Sequence, residues 1–510
     1  MTAKSPMRPE RPSTVHDLIE RAAAARPDAV YAVATESGAT LTHAQLGADC
    51  RQVGAWLAEQ RIGAGDTISL VMPNGLATVR LLLGAMHAGV CVNPVNLLAQ
   101  TEQMRYVLDH ADGRLVVVAP EWEARVRVLV AEIARPVRVA VIVPDGDEPF
   151  ATSASTRVPA EAPRPDSVAL LMYTSGTTGV PKGVMLSQAN LAANAAAVSA
   201  EHALTGLDRV LAVLPLYHIN AFTVTMLAPL VEGGSLAIAP RFSAAQFWGQ
   251  ATLHDCTWLN VVPTMVSYLL EGEAPPREAL ARIRFCRSAS AALPPEHHRA
   301  FEAKFGVGII ETMGLTETAA PAFSNPLDPT QRKLGSVGRA SGGEARVVDP
   351  ALAPIADGVT GELAIRGPHV MLGYYKDDAA TRAAFGPDGW LRTGDLGHRD
   401  GDGFFFVTGR SKELIIKGGE NIAPREIDEA LLGHPAVLEA AAVGIADVHY
   451  GQEIMACVVL REGAHCSEDE LRAYCIERLG RYKAPKVLRF VTSLPRGPSG
   501  KVQRLKLLER

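Results

Sequence analysis

The run Tyr173-Thr174-Ser175-Gly176-Thr177-Thr178-Gly179-Val180-Pro181-Lys182-Gly183 combines hydroxyls and glycines with a single lysine. Glycine lets backbone N–H groups come close to phosphate oxygens, hydroxyls add donors, and a lysine brings a point charge. The composition suits a polyphosphate cradle, but it lacks the Gly-Lys-Ser/Thr ending of a Walker loop. A generic Ser/Thr/Gly stretch is more often a polar surface loop. Here the lysine and the apolar run Val168-Ala169-Leu170-Leu171-Met172 just ahead favour phosphate. Three further clusters carry groups suited to chemistry. Gly314-Leu315-Thr316-Glu317 offers a hydroxyl and a carboxylate. Gly389-Trp390-Leu391-Arg392-Thr393-Gly394-Asp395, followed by Thr408-Gly409-Arg410, offers a carboxylate and a guanidinium. Pro495-Arg496-Gly497-Pro498-Ser499-Gly500-Lys501 ends on a lysine. Taken singly, Asp395 reads as a turn residue and Lys501 as a solvated terminal lysine.

These clusters need a scaffold, and the pattern supplies one. From about Ser13 to Leu334, short β-branched runs alternate with longer amphipathic ones. Strands are expected at 67–72, 115–118, 137–143, 210–214, 236–239, 258–262 and 308–311. Helices are expected at 14–25, 42–59, 76–88, 101–110, 244–253 and 295–305, with another from about Ser187. Several of these helices open on Ser, Thr or Pro. Alternation of this kind implies an α/β fold with parallel sheets covered on both faces, and ligands bound at the carboxyl ends of strands. From Gly335 to Arg410 glycines recur and short apolar runs replace the helices, as in a small antiparallel β unit. The last hundred residues read as a compact α+β module joined through Gly409-Arg410-Ser411-Lys412. The expected organisation is therefore a large domain over 1–410, with α/β subdomains at about 1–170 and 171–334 and a β subdomain at about 335–410. A small domain over 411–510 follows.

At 510 residues the chain holds several domain-sized units. Its net charge of -5 argues against nucleic acid as a partner. The seven cysteines form no CxxC pair, so reduced thiols are expected, not disulfides or a zinc site. No stretch approaches the ~18 apolar residues of a membrane span. Met1–Pro12 has no apolar h-region, so no signal peptide and a cytoplasmic location are expected.

In order and spacing these motifs resemble the adenylate-forming superfamily of acyl-CoA synthetases, luciferases and peptide-synthetase adenylation domains. The resemblance extends from Leu18 to Leu507. It implies an acid–CoA ligase with ATP, Mg²⁺ and coenzyme A. Thr174, Ser175, Gly176, Thr177, Thr178, Gly179 and Lys182 would hold the β- and γ-phosphates. Thr316 would touch the α-phosphate, and Glu317 would hold Mg²⁺, an ion suited to one or two carboxylates plus phosphate oxygens. Asp395 would accept the ribose hydroxyls with Arg410 beside it. Lys501 would bridge the carboxylate and the α-phosphate during adenylation. The resemblance also implies a β-barrel-like form for the 335–410 subdomain and a mobile C-terminal domain hinged at Lys412. That domain would exchange Lys501 for the Gly418-Gly419 face, past which pantetheine reaches the acyl-adenylate. Two positions depart from the family pattern. Met313 stands where many relatives stack an aromatic ring on adenine. Ser288-Ala289-Ser290-Ala291-Ala292-Leu293 replaces a Gly-Gly-Ala-Pro-Leu run, bringing Ser290 to the adenine and acid lining.

Pro215-Leu216-Tyr217-His218-Ile219-Asn220 matches the family segment whose histidine lines the acyl pocket, so His218 is assigned there. No aspartate lies between 215 and 224 to anchor an α-amine, which disfavours amino acids. Apolar neighbours such as Phe222 and Met226 favour an aliphatic or aryl acid. Ala322–Leu327 and Gly335–Gly338 resemble segments of ligases for small dicarboxylates such as oxalate, although no clear extra cation beyond His218 and Arg287 marks a second carboxylate site. The acid stays open among these classes. So does the acceptor, with a carrier-protein pantetheine or an amine as the alternative to CoA and a non-catalytic nucleotide sensor as a third reading. Expected partners are the acid, ATP and CoA, with a homodimer left open.

Overall fold

The computed structural model describes residues 13–146, 161–174, 180–410, 412–497 and 502–509. Helix starts follow local chemistry. Thr14, Thr42 and Ser187 close capping boxes with Asp17, Gln45 and Asn190, opening the helices Val15–Ala25, His43–Glu59 and Gln188–Glu201. Proline occupies the first turn of Pro263–Glu271, Pro295–Phe305 and Pro424–Leu432.

Two large mixed sheets form the body. The nine-stranded sheet runs Arg339–Ala340, Ala320–Ser324, Ile309–Leu315, Phe285–Ser288, Trp258–Val261, Arg209–Ala212, Ser235–Ile238, Val30–Ala34, Thr40–Thr42. The seven-stranded sheet runs Gly373–Tyr374, Lys182–Ser187, Val168–Thr174, Cys91–Pro94, Thr67–Val71, Leu115–Val118, Arg138–Val141. Both are parallel at the centre and antiparallel at an edge. The largest core lies between the sheets, joining Phe285, Ile310 and Trp258 of one to Leu70, Val92 and Leu170 of the other through buried helices. Helices Ala244–Leu253, Pro263–Glu271 and Pro295–Phe305 cover the outer face of the first sheet, and Thr101–His110 with Glu123–Ala131 covers that of the second.

The sheets do not divide the chain at residues 170–171, which corrects the linear subdomain boundary. Val30–Ala34 leaves the N-terminal segment to pair in parallel with Ser235–Ile238, while Val168–Thr174 and Lys182–Ser187 complete the earlier sheet. Alternation of apolar residues marks a strand but not its partner, and a parallel partner can lie hundreds of residues away. The glycine-rich region forms a four-stranded antiparallel sheet, Glu344–Val348, Gly361–Arg366, Leu391–Arg399, Phe405–Arg410. Beyond it, five strands built around the hairpin Val437–Asp447/Gly451–Leu460 pack against helices Pro424–Leu432 and Glu468–Lys483. No helix among the described residues is long and apolar enough to cross a membrane. All seven cysteines are free.

Candidate active site

The strand Val168–Thr174 ends at the carboxyl edge of its sheet, where it pairs in parallel with Cys91–Pro94. Thr174 lies opposite Lys182, the first residue of the antiparallel return strand. Thr174 and Lys182 therefore end and begin the two strands of one hairpin; Ser175, Gly176, Thr177, Thr178 and Gly179 lie outside the described residues. The Lys182 ammonium sits 4.9 Å from the centre of the Tyr374 ring, a cation–π geometry. The Tyr374 hydroxyl donates to Glu317 Oε1 at 2.8 Å. Burial and the Glu317 carboxylate raise the Tyr374 pKa, so the phenol stays a donor. Tyr374 thus joins the Lys182 ammonium to the Glu317 carboxylate, a link sequence reading missed. Its signal is a two-residue strand, Gly373–Tyr374, that makes sense only once Lys182–Ser187 is beside it.

Thr316 and Glu317 begin a short turn at the end of Ile309–Leu315, and the Glu317 carbonyl accepts from the Met371 N–H. A Cβ on Gly314 would lie 2.0 Å from the Ala320 carbonyl oxygen, so the returning strand requires glycine there. No basic side chain lies within ion-pair distance of Glu317 among the described residues, and its carboxylate fits a divalent cation such as Mg²⁺.

Asp395 is 4% exposed and receives Arg410 Nε at 2.9 Å across the Leu391–Arg399/Phe405–Arg410 pair. Asp395, ahead of Glu413 and Glu317, raises the Arg410 pKa against the opposing effect of burial, so the arginine feels all three acids. Ser290, Met313, Gly314, Asp395 and Arg410 line one cleft of about 400 Å³, whose opposite wall comes from the C-terminal domain through Asp428, Arg496, Val502 and Arg504. Ser290 takes φ +75°, a conformation easy for glycine and strained for serine. Its Oγ accepts from Asn220 Nδ2 at 3.4 Å, so a side-chain contact accompanies the departure from a glycine-rich run.

Other assigned residues lie elsewhere. His218 precedes the helical turn Ile219–Ala221 with its ring against Tyr217, and it is not part of the cleft wall. Gly418 and Gly419 are exposed at the turn between Ile415–Lys417 and Glu420–Ile422, also off that wall. A Cβ on Gly418 would meet the Tyr482 hydroxyl at 2.9 Å. Lys501 lies outside the described residues, although Arg496 and Val502 on either side of it line the cleft.

Glu311 was not singled out by the sequence. It is 2% exposed on the same cleft, accepting from the Leu293 N–H at 3.2 Å, and Oε2 has no hydrogen-bond partner. Burial, opposed by Arg425 of the C-terminal domain, pushes its pKa up to about 7. The folded state then holds a proton that the unfolded chain releases near pH 4.5. Stability is full below that pH and falls as pH rises toward and through 7. Glu311→Gln should flatten this slope and stabilise the protein at pH 8 by on the order of 3 kcal/mol. Melting temperatures from pH 5 to 8 read it, and parallel profiles for variant and parent would sink the assignment.

Residues 19–375 match the AMP-binding enzyme family, and residues 426–501 match the AMP-binding enzyme C-terminal domain. The chain belongs to the AMP-binding enzyme family. It is similar to a sulfoacetate–CoA ligase of Cupriavidus necator, 58% identical over 98% of both chains. It is also similar to an oxalate–CoA ligase of Arabidopsis thaliana, 34% identical over 96% of this chain and 97% of the relative. Among solved structures, MatB from Rhodopseudomonas palustris is 30% identical in each of two states. The ATP-bound form matches with a TM-score of 0.89 over 97% of this chain and 98% of its own. The apo form matches with 0.79 over 98% of each. This AMP-binding enzyme is an ATP-dependent acid–CoA ligase: it forms an acyl-adenylate with release of pyrophosphate, then an acyl-CoA thioester with release of AMP. ATP, Mg²⁺ and CoA are its cofactor and co-substrates.

Proposed function

We propose that this ligase activates a short acid carrying a second anionic group, with sulfoacetate as its first candidate. The 58% identity to a sulfoacetate–CoA ligase along essentially the whole chain carries this reading. The packing beneath Ser290 supports it. Behind that residue lie the buried side chains of Asn220, Asn260 and Arg287, which give the space beneath it a polar floor.

In this reading the 174–182 loop and Lys182 hold the β- and γ-phosphates, Thr316 the α-phosphate, Asp395 and Arg410 the ribose, and Met313 and Ser290 the base edge. Glu317 holds Mg²⁺, whose charge offsets the crowding of phosphate and carboxylate anions. Lys501 neutralises the carboxylate as it attacks, and His218 lines the acid's path. Residues 1–410 act as one domain and 411–510 as a second that turns at Lys412, bringing Gly418 and Gly419 to the site for thioester formation. Weak ties between the domains support that motion. They include the half-exposed pair Arg461–Glu271 at 2.6 Å, outside the cleft, and a bond from Arg425 to the Val407 carbonyl. So does the uneven match of this chain to the two MatB states. The reading includes a cytoplasmic location, in keeping with seven free thiols, and a homodimer that sedimentation would test.

Pyrophosphate release over a panel of acids, with and without CoA, tests it. Sulfoacetate should give the highest kcat/KM and, with CoA, a thioester. Fastest turnover of a neutral aliphatic or aryl acid would overturn the acid assignment. Pyrophosphate release without any CoA thioester would favour a carrier-protein or amine acceptor.

A further inference from the structure

Arg287 lies in the strand Phe285–Ser288, in register with Asn260 on one side and Ile310 on the other. It shares a sheet face with Phe285, in the core between the two large sheets, and is 1% exposed. Its Nη1 donates to Asn220 Oδ1 at 2.6 Å and Asn260 Oδ1 at 2.9 Å, while its buried Nε has no partner. Among the described residues no carboxylate lies within ion-pair distance of it.

A guanidinium removed from water loses most of its solvation, and two neutral amides return only part of that. Buried arginines are ordinarily paired with an acid. A purely structural network here could use a neutral side chain at lower cost. The remaining source of negative charge is the substrate. The route to it is short, because Asn220 bonds Arg287 with its oxygen and Ser290 with its nitrogen, and Ser290 lines the nucleotide cleft. The planar fork of arginine suits the oxygens of a sulfonate or carboxylate, which lysine would meet only as a point charge.

We propose that Arg287, framed by Asn220 and Asn260, is the receptor for the distal anion of the acid and determines the enzyme's preference for short acids bearing a second negative group. This rests on the substrate class proposed above and adds the residue that reads it. In the free protein the two amide oxygens take positions on the guanidinium that anion oxygens take in the complex. Binding exchanges at least one of them, with Asn220 turning away from Arg287. The reacting carboxylate stays at the cleft while the far group lies at Arg287, which limits the spacer between them to a short one. The buried rings of Phe285 and Trp258 pack in the core beside Arg287 and Asn260, on the same strands.

Arg287→Met and Arg287→Lys test the proposal, each compared with the parent on sulfoacetate and on propionate, a neutral acid of similar length. Arg287→Met should lower kcat/KM for sulfoacetate about 100-fold and change that for propionate by less than about threefold. Methanesulfonate, which has no carboxylate to activate, should compete with the acid in the parent and lose that effect in Arg287→Met. Should the methionine variant not fold, the lysine variant decides: it keeps the charge, loses the fork, and should lower the sulfoacetate-to-propionate ratio about tenfold. An unchanged ratio in the folded variants, with both acids falling together or neither falling, would overturn the role of Arg287 while leaving the substrate class standing. A parent enzyme that turns over propionate but not sulfoacetate, and is not inhibited by methanesulfonate, would overturn both. Inhibition by methanesulfonate that depends on Arg287, without sulfoacetate turnover, would keep the anion receptor and reject sulfoacetate as the substrate.

Discussion

Lys501→Ala is expected to lower acid-dependent ATP–pyrophosphate exchange by about 10²–10³-fold, the usual cost of losing one charged donor at a developing negative centre. In the proposed mechanism the lysine acts only while carboxylate and α-phosphate come together. Thioester formation from a supplied acyl-adenylate should therefore be largely retained. Arg496 and Val502 support this division, since both line the cleft that holds Asp395 and Met313. That cleft lies between the domains, so a turn at Lys412 would carry the Lys501 segment away. Measuring each half-reaction separately reads the result. If both fall together in a variant that still folds, one fixed site performs both steps and the two-state account fails.

Asp395→Ala carries the second large effect, and here the geometry is in hand. The carboxylate is nearly buried and holds Arg410 at 2.9 Å, so truncation removes the proposed ribose acceptor and strips the arginine of a partner at the cleft. Arg410 is 38% exposed, so water screens the arginine left behind and the loss of the pair should lower stability by only about 1 kcal/mol. The loss should appear as a fall of about 10²–10³-fold in kcat/KM for ATP, mostly in KM, together with a lower melting temperature. Asp395→Asn separates the two effects, since it keeps the shape and one acceptor oxygen. It should preserve more of the fold than of the ATP affinity. A fall in melting temperature with KM for ATP unchanged would make Asp395 a structural residue only.

The site was legible in the sequence to an uneven degree. The residues proposed for the phosphates stand in short motifs because each is placed by local structure: Thr174 and Lys182 end and begin the strands of one hairpin, and Thr316 and Glu317 follow one strand. Asp395 and Arg410 are also neighbours on one antiparallel pair. Tyr374 was hidden because its role depends on meeting Lys182–Ser187 across nearly two hundred residues. Glu311 was hidden because a glutamate in a β-branched run shows no sign of the Arg425 that faces it from the other domain.

What the sequence determined alone was the family, the chemistry of activation and the position of many helices and strands, though not of Val30–Ala34, Cys91–Pro94, Phe285–Ser288 or Pro263–Glu271. Caps, prolines and apolar periods act over a few residues, so Thr14, Thr42, Ser187 and Pro295 set their helices without help from the rest of the chain. The tertiary structure decided which strands became neighbours and which polar groups were buried together. Arg287 meets Asn220 and Asn260 across 67 and 27 residues, and nothing in the local run Phe285–Ser288 announces a charge enclosed by two amides. The activating half of the site is written in short contiguous motifs, whereas the proposed receptor for the acid is assembled from a parallel strand pair, which sets Asn260 beside Arg287, and a distant helical turn that carries Asn220.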